Sequence, residues 1–139
     1  MLGIIEYFLI ARKFIEKKIC MMYNTIRTRR VSMENLEMIS FQIISCVGTA
    51  KSSYIEAARK AQEYEFDKAE ELIKEGDAIY IKGHEAHASL IQQEARGESV
   101  AVNMLLMHAE DQLMAAENFK AFAQQQIVIF KKFQDIENR

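Results

Sequence analysis

The chain lacks proline and tryptophan altogether and has only five glycines and two cysteines in 139 residues. Without proline and with so little glycine, few positions force a turn or end a helix. A collagen-like, linker-rich or turn-rich β architecture is therefore excluded. Cys20 and Cys46 show neither CxxC nor zinc-finger spacing, so a disulfide scaffold and a cysteine metal cluster are excluded too, and a reduced, cytoplasmic setting is expected. Long hydrophobic runs are also missing. The apolar stretch from Leu2 to Ala11 is short and is interrupted by Glu6, which is not a bilayer span. The basic residues follow that stretch rather than precede it, and no small-residue cleavage site comes after, so it does not read as a secretory leader. Phosphate-cradling glycine loops, nucleophile elbows and dinucleotide fingerprints are absent as well.

What is present is the composition of long helices. Half of the residues are hydrophobic and 27% are charged, with Ala, Glu, Lys, Ile and Gln prominent. The net charge of −2 conceals an asymmetry. Residues 1–30 carry seven Lys/Arg against two Glu, while the remainder carries eleven basic against eighteen acidic residues. An acidic body argues against nucleic acid as the partner, because phosphate contacts need clustered Lys and Arg. For residues 1–32, one reading is an interfacial amphipathic helix, with Phe8, Ile15 and Ile19 toward lipid. The preferred reading is an appendage outside the fold, even an upstream mis-start. An AGGAGG stretch coding for Arg29-Arg30 would be a ribosome-binding sequence, with Met33 as the start.

From Met33 the apolar spacing predicts three helices with tight joins. The first spans roughly Glu34 to Gln62, with a seam of Leu36, Ile39, Ile43, Cys46, Ala50, Tyr54, Ala57 and Ala61 stepping by 4 and 3. Gly48 interrupts it, kept for a close helix approach or merely tolerated. A short turn at 63–67 favours antiparallel neighbours. The second helix spans roughly Asp67 to Arg96, with a seam of Ala69, Ile73, Gly76, Tyr80, Gly83, His87 and Leu90. Its two glycines, seven apart, suggest a tight crossing. Gly97 suits the residue after its end, and Ser99 is the expected N-cap of a third helix from about Val100 to Phe133.

The third helix carries two stripes. One is Leu106, Ala109, Leu113, Ala116, Ala123, Ile127 and Phe130, broken only by Lys120; the other is Met104, His108, Asp111, Ala115, Asn118, Phe122, Gln125 and Ile129. At 100° per residue their centres lie roughly 150° apart. One stripe suffices for a single bundle, so the second asks for another surface, and self-association of three protomers around an axis would supply it. Polar residues along such a seam fix register and oligomer number. Within this stripe His108 and Asp111 stand three apart, on one side of the helix. An imidazole has an unperturbed pKa near 6.5, which leaves a neutral, nucleophilic nitrogen at cell pH. The blander reading makes His108 a core histidine satisfied by Asp111. Three Asp111 carboxylates converging on an axis would repel one another unless a cation such as octahedral Mg²⁺ joined them; otherwise Asp111 sits half-solvated at a seam edge and binds nothing. His84 and His87, also three apart, form a possible metal pair with Glu85 or Glu94, but nothing else in the chain completes such a site.

Together these residues resemble the enzyme IIA component of the lactose/cellobiose family of the bacterial sugar phosphotransferase system, over most of Met33–Phe133. The resemblance runs through Phe41-Gln42-Ile43-Ile44, Gly48-Thr49-Ala50-Lys51-Ser52, Glu63-Tyr64-Glu65-Phe66-Asp67-Lys68-Ala69 and Glu94-Ala95-Arg96-Gly97-Glu98. Its most specific part is Leu105-Leu106-Met107-His108-Ala109-Glu110-Asp111-Gln112-Leu113-Met114. It implies a homotrimer of antiparallel three-helix protomers, spanning residues 33–135 of each chain. It makes His108 the phosphorylated residue and Asp111 the ligand of one Mg²⁺ shared between the chains. It also implies two partners: the histidine-containing phosphocarrier protein as donor and a cysteine of enzyme IIB as acceptor, in uptake of cellobiose, chitobiose or lactose. The chain departs from the family pattern at Glu110 (usually Gln), at Gln112 (usually His) and at His87-Ala88 (usually Gln-Thr). Lys82, Arg96, Lys120 and the Ser89 hydroxyl are candidates for the hydrogen-bond donors that cradle the phosphoryl group. Two other readings remain beside this one. One is a non-catalytic helical adaptor or regulatory interaction protein whose second stripe binds other proteins; the other is a metal-storing bundle built on His84, His87 and Glu94.

Overall fold

The computed structural model describes the backbone of residues 2–139 and the side chains of residues 13–25 and 33–139. Among the described residues the protein is all-helical: α1 (Leu2–Gln62), α2 (Phe66–Ala95) and α3 (Met104–Glu137). The first helix does not begin near Glu34 as its seam suggests. No glycine or proline stands between Gly3 and Gly48, so nothing in that stretch breaks the helical backbone. The chain divides into two compact units, Met1–Leu36 and Glu37–Arg139. In the first, the side chains of residues 13–25 are exposed, and the Lys18 ammonium lies 5.1 Å above the Phe14 ring. Among the described residues no helix is long and apolar enough to cross a membrane.

In the second unit α1, α2 and α3 enclose one core. One part joins Ala50, Tyr54, Ala57 and Ala61 of α1 to Ala69 and Ile73 of α2 and Ala123 and Ile127 of α3. The other joins Ile43 and Val47 to Ala86, Ala109, Leu113 and Ala116. The inner stripe of α3 is buried from Leu106 to Ile127, apart from Lys120. Contacts between α1 and α2 pair rising with falling numbers, Tyr54 with Gly76 and Val47 with Gly83, so the two run in opposite directions. The same holds between α2 and α3, where Glu70 pairs with Lys131 and His87 with Glu110. Gly76 and Gly83 permit the close crossing. A Cβ at Gly76 would stand 2.5 Å from Tyr54 Cε1, and one at Gly83 would stand 2.9 Å from Val47 Cγ1. Gly48 serves no such approach, because a Cβ there would meet nothing within 4 Å.

Both joins close by the same hydrogen-bond pattern. The amides of Tyr64 and Glu65 bond back to the carbonyls of Ala61 and Lys60, and those of Gly97 and Glu98 to Glu94 and Gln93. This pattern needs a left-handed residue after the helix end, and Gly97 supplies it at φ 81°. At the other join the position falls to Tyr64, at φ 62°, a conformation costing a β-substituted residue about 1 kcal/mol. Tyr64 is held there by edge-on contacts with Phe66 and Phe130 and by donating its hydroxyl to the Glu137 carboxylate at 3.1 Å.

The third helix starts later than Ser99 would place it. Its N-cap is Asn103, whose side-chain oxygen accepts from the Leu106 amide at 2.8 Å. Residues 98–103 stay non-helical; within them Val100 is half-buried and Val102 exposed, both bordering a cavity beside Leu90 and Leu106. Helical backbone continues past Phe133 to Glu137, because Lys131 and Glu137 tie its last turns to Glu70 and Tyr64.

Candidate functional site

His108 and Asp111 stand on the outward stripe of α3, and both side chains are exposed. Among the described residues, neither has a hydrogen bond or ion pair within the chain. Within one chain, therefore, His108 is not a core histidine satisfied by Asp111: most of the second stripe is exposed. Its large apolar members are bare, with Met104 78% and Phe122 51% exposed. Phe41 and Met38 of α1 are exposed as well.

The side chains expected to cradle the phosphoryl group go elsewhere. Lys120 lies 2.8 Å from the Asp77 carboxylate, Arg96 Nε lies 3.4 Å from Glu98 Oε1, and the Ser89 hydroxyl donates to the Ala86 carbonyl at 2.6 Å. Lys82 is exposed on α2. The structure brings none of the four into a hydrogen bond with His108.

One residue that sequence reasoning passed over does reach this part of α3. Lys51 of α1 donates from Nζ to Gln112 Oε1 at 2.8 Å, one turn beyond His108. Nothing in the spacing of Lys51 marks it; its place follows from the packing of Val47 and Ala50 beside α3.

The two histidines of α2 lie with ring centroids 6.3 Å apart but make different contacts. His87 Nε2 lies 2.8 Å from Glu110 Oε1, while His84 lies 6.1 Å from the Tyr80 ring, centroid to centroid. Among the described residues no three His, Cys, Asp or Glu side chains gather within one chain in a metal-holding group. His87 and Glu110 are both departures from the family pattern, and the α2–α3 register makes them partners. Their pair borders a cavity of about 200 Å³ walled by Leu90, Ile91, Val102 and Leu106.

Comparison with known proteins supplies what geometry alone does not. Residues 38–131 match the family described as PTS system, Lactose/Cellobiose specific IIA subunit. A lactose-specific EIIA component from Staphylococcus epidermidis is 32% identical over 102 residues, covering 73% of this chain and 98% of the relative. An oligo-beta-mannoside-specific EIIA component from Bacillus subtilis is 38% identical over 95 residues, covering 68% of this chain and 86% of the relative. Among solved structures, the cellobiose-specific enzyme IIA from Bacillus anthracis superposes with a TM-score of 0.68 at 35% identity, covering 70% of this chain and 90% of that one. The helical domain is thus a sugar-specific IIA component of a phosphotransferase system. Within that class the chain belongs to the lactose/cellobiose-specific IIA family.

Proposed function

We propose that this chain is a phosphoryl carrier that takes phosphate from the histidine-containing phosphocarrier protein on His108 and passes it to a cysteine of enzyme IIB. The observation that carries this reading is an exposed imidazole, without a partner in its own chain, on the outward stripe of α3. In the first step the Nε2 lone pair of His108 attacks the phosphorus of the donor phosphohistidine. A new N–P bond forms, the donor's P–N bond breaks, and its electron pair returns to the donor imidazole. In the second step the enzyme IIB thiolate takes the phosphorus, and the pair returns to His108. Phosphoryl transfer of this kind depends on in-line positioning more than on acid–base chemistry, so an exposed acceptor that two proteins can approach in turn suits it. The carrier does not meet the sugar, so the choice among cellobiose, chitobiose, lactose or another β-linked disaccharide rests with the permease. A cytoplasmic place follows from such partners.

The working form in this reading is a homotrimer of antiparallel three-helix protomers, each formed by residues 33–135, with residues 1–32 outside the carrier domain. The bare Met104, Phe122 and Ile129 support it, since apolar area of this kind is stabilised by covering. Asp111 fits Mg²⁺ only in such an assembly: each chain offers one exposed, unpaired carboxylate, a hard oxygen donor of the kind magnesium prefers. A magnesium ion there would neutralise the carboxylates of neighbouring chains.

The test is phosphorylation by phosphoenolpyruvate and the general phosphotransferase proteins, followed by location of the label. The expected result is acid-labile phosphate on His108, and complete loss of uptake in His108→Ala with unchanged helicity by circular dichroism. Undiminished label in that variant would refute the assignment, and no uptake by the parent chain would favour a helical adaptor.

A further inference from the structure

We propose that Lys51 is the cation that receives the phosphoryl group on His108, moving from the Gln112 amide to a phosphoryl oxygen when His108 is loaded. This rests on the reading of His108 as phosphoacceptor. Three lysines make cross-helix hydrogen bonds among the described residues, and they differ in what they hold. Lys120 and Lys131 sit on the carboxylates of Asp77 and Glu70, so their charge is met by an opposite one. Lys51 sits on a neutral amide oxygen, 2.8 Å from Gln112 Oε1, with the Phe119 ring centroid 6.0 Å away. Its positive charge is held in place without being neutralised.

The position of that charge gives it a use. Gln112 follows His108 by four residues, so the two side chains are neighbours on one face, about 5–6 Å apart at Cβ. The lysine stem has four rotatable carbons and its head is a compact point charge, so a swing of about one helical turn, 5.4 Å, carries Nζ from Gln112 toward His108. The exchange is favourable in direction: an ammonium on phosphoryl oxygens makes a charge-assisted hydrogen bond, roughly twice as strong as one to a neutral acceptor. In the empty carrier Gln112 keeps the ammonium close, so little ordering remains to be done when the phosphoryl group arrives. No covalent bond of Lys51 changes in either state.

The experiment uses the full chain with the phosphocarrier, the general phosphotransferase proteins and phosphoenolpyruvate. It reads the equilibrium fraction of phospho-His108 and the half-life of the acid-labile phosphate. Lys51→Met is expected to lower the equilibrium constant for loading about tenfold or more, the fold-change that a lost hydrogen bond to a charged group corresponds to, with the circular dichroism and thermal midpoint unchanged. Lys51→Arg is expected to restore loading to within about threefold, because a guanidinium also binds phosphoryl oxygens. Gln112→Glu is expected to reduce loading as well, since a carboxylate would both hold Lys51 back and repel the incoming group. Full loading of Lys51→Met overturns the proposal while leaving His108 as acceptor; absence of phospho-His108 in the parent chain overturns both.

Discussion

The polar groups between the helices and those on the outward stripe of α3 obey opposite rules. Between the helices each is answered. The Tyr54 hydroxyl donates to Asp77 Oδ1 at 2.8 Å, Lys120 closes on the same carboxylate, and the Tyr80 hydroxyl donates to Glu117 at 2.6 Å. Among the described residues no buried side-chain nitrogen or oxygen lacks a partner. On the outward stripe, His108 and Asp111 stand among bare apolar side chains with nothing paired to them. A polar group inside costs free energy unless it is bonded, so the inner pairs are explained by folding. An unpartnered imidazole on an apolar surface is not required by the folding of one chain. It has to be explained by what comes to that surface.

That contrast can be broken most severely at His108, whose removal is expected to abolish phosphate uptake without unfolding the chain. The inner side answers differently. Asp77→Ala strips the fully buried Tyr54 of its acceptor and Lys120 of its counter-charge, and is expected to destabilise the fold by about 1–3 kcal/mol in urea denaturation, with His108 still able to accept phosphate. If stability were unchanged, the inner pairs would be as dispensable to folding as the outer groups.

Alkaline pH probes the same network. Burial first, and then the hydrogen bond to Asp77, pushes the Tyr54 hydroxyl well above the ordinary tyrosine range; burial and Glu117 do the same for Tyr80. The unfolded chain ionises these groups near about pH 10, whereas the folded chain keeps its protons, so it binds more of them than the unfolded state does. Their contribution is therefore full below about pH 10 and is lost as pH climbs toward the raised folded values. Denaturation at about pH 9 and about pH 11, followed by tyrosinate absorbance, should show stability falling while Tyr54 and Tyr80 ionise only on unfolding.

The smallest effect is expected at Gly48. With nothing near its missing Cβ, Gly48→Ala should stabilise α1 by about 0.5–1 kcal/mol, measured as a higher thermal midpoint. A loss of stability would mean that another copy of the chain packs closely there.

Much of the core was legible because helical burial is periodic. The inner stripe of α3 came out buried from Leu106 to Ile127 save Lys120, and Ile43, Ala50, Tyr54, Ala57 and Ala61 of the expected α1 seam are fully buried. Ile39 and Cys46 are only half-buried, whereas Ser40, Val47 and Ala58 are buried outside that seam. The reason is that α1 faces two helices and so needs a wider face than a single stripe. Helix ends were less legible. Ser99 and Asn103 are both good caps, and only the folded chain shows that Asn103 is the one used, its side chain accepting from the Leu106 amide. Likewise a tyrosine in a left-handed turn could be read only once Phe66, Phe130 and Glu137 were in place around it.

By itself the sequence determined the helical class, the inner and outer faces of α3, and the presence of an imidazole and a carboxylate on the outer one, because these follow from residue type and a 3.6-residue period. Only the tertiary structure decided which residues meet across helices. The pairing of His87 with Glu110, of Tyr54 with Asp77 and of Lys51 with Gln112 depends on how far one helix slides along another. That offset is set by the fit of side chains such as Tyr54 over Gly76 and Val47 against Gly83, which no single stretch of chain contains.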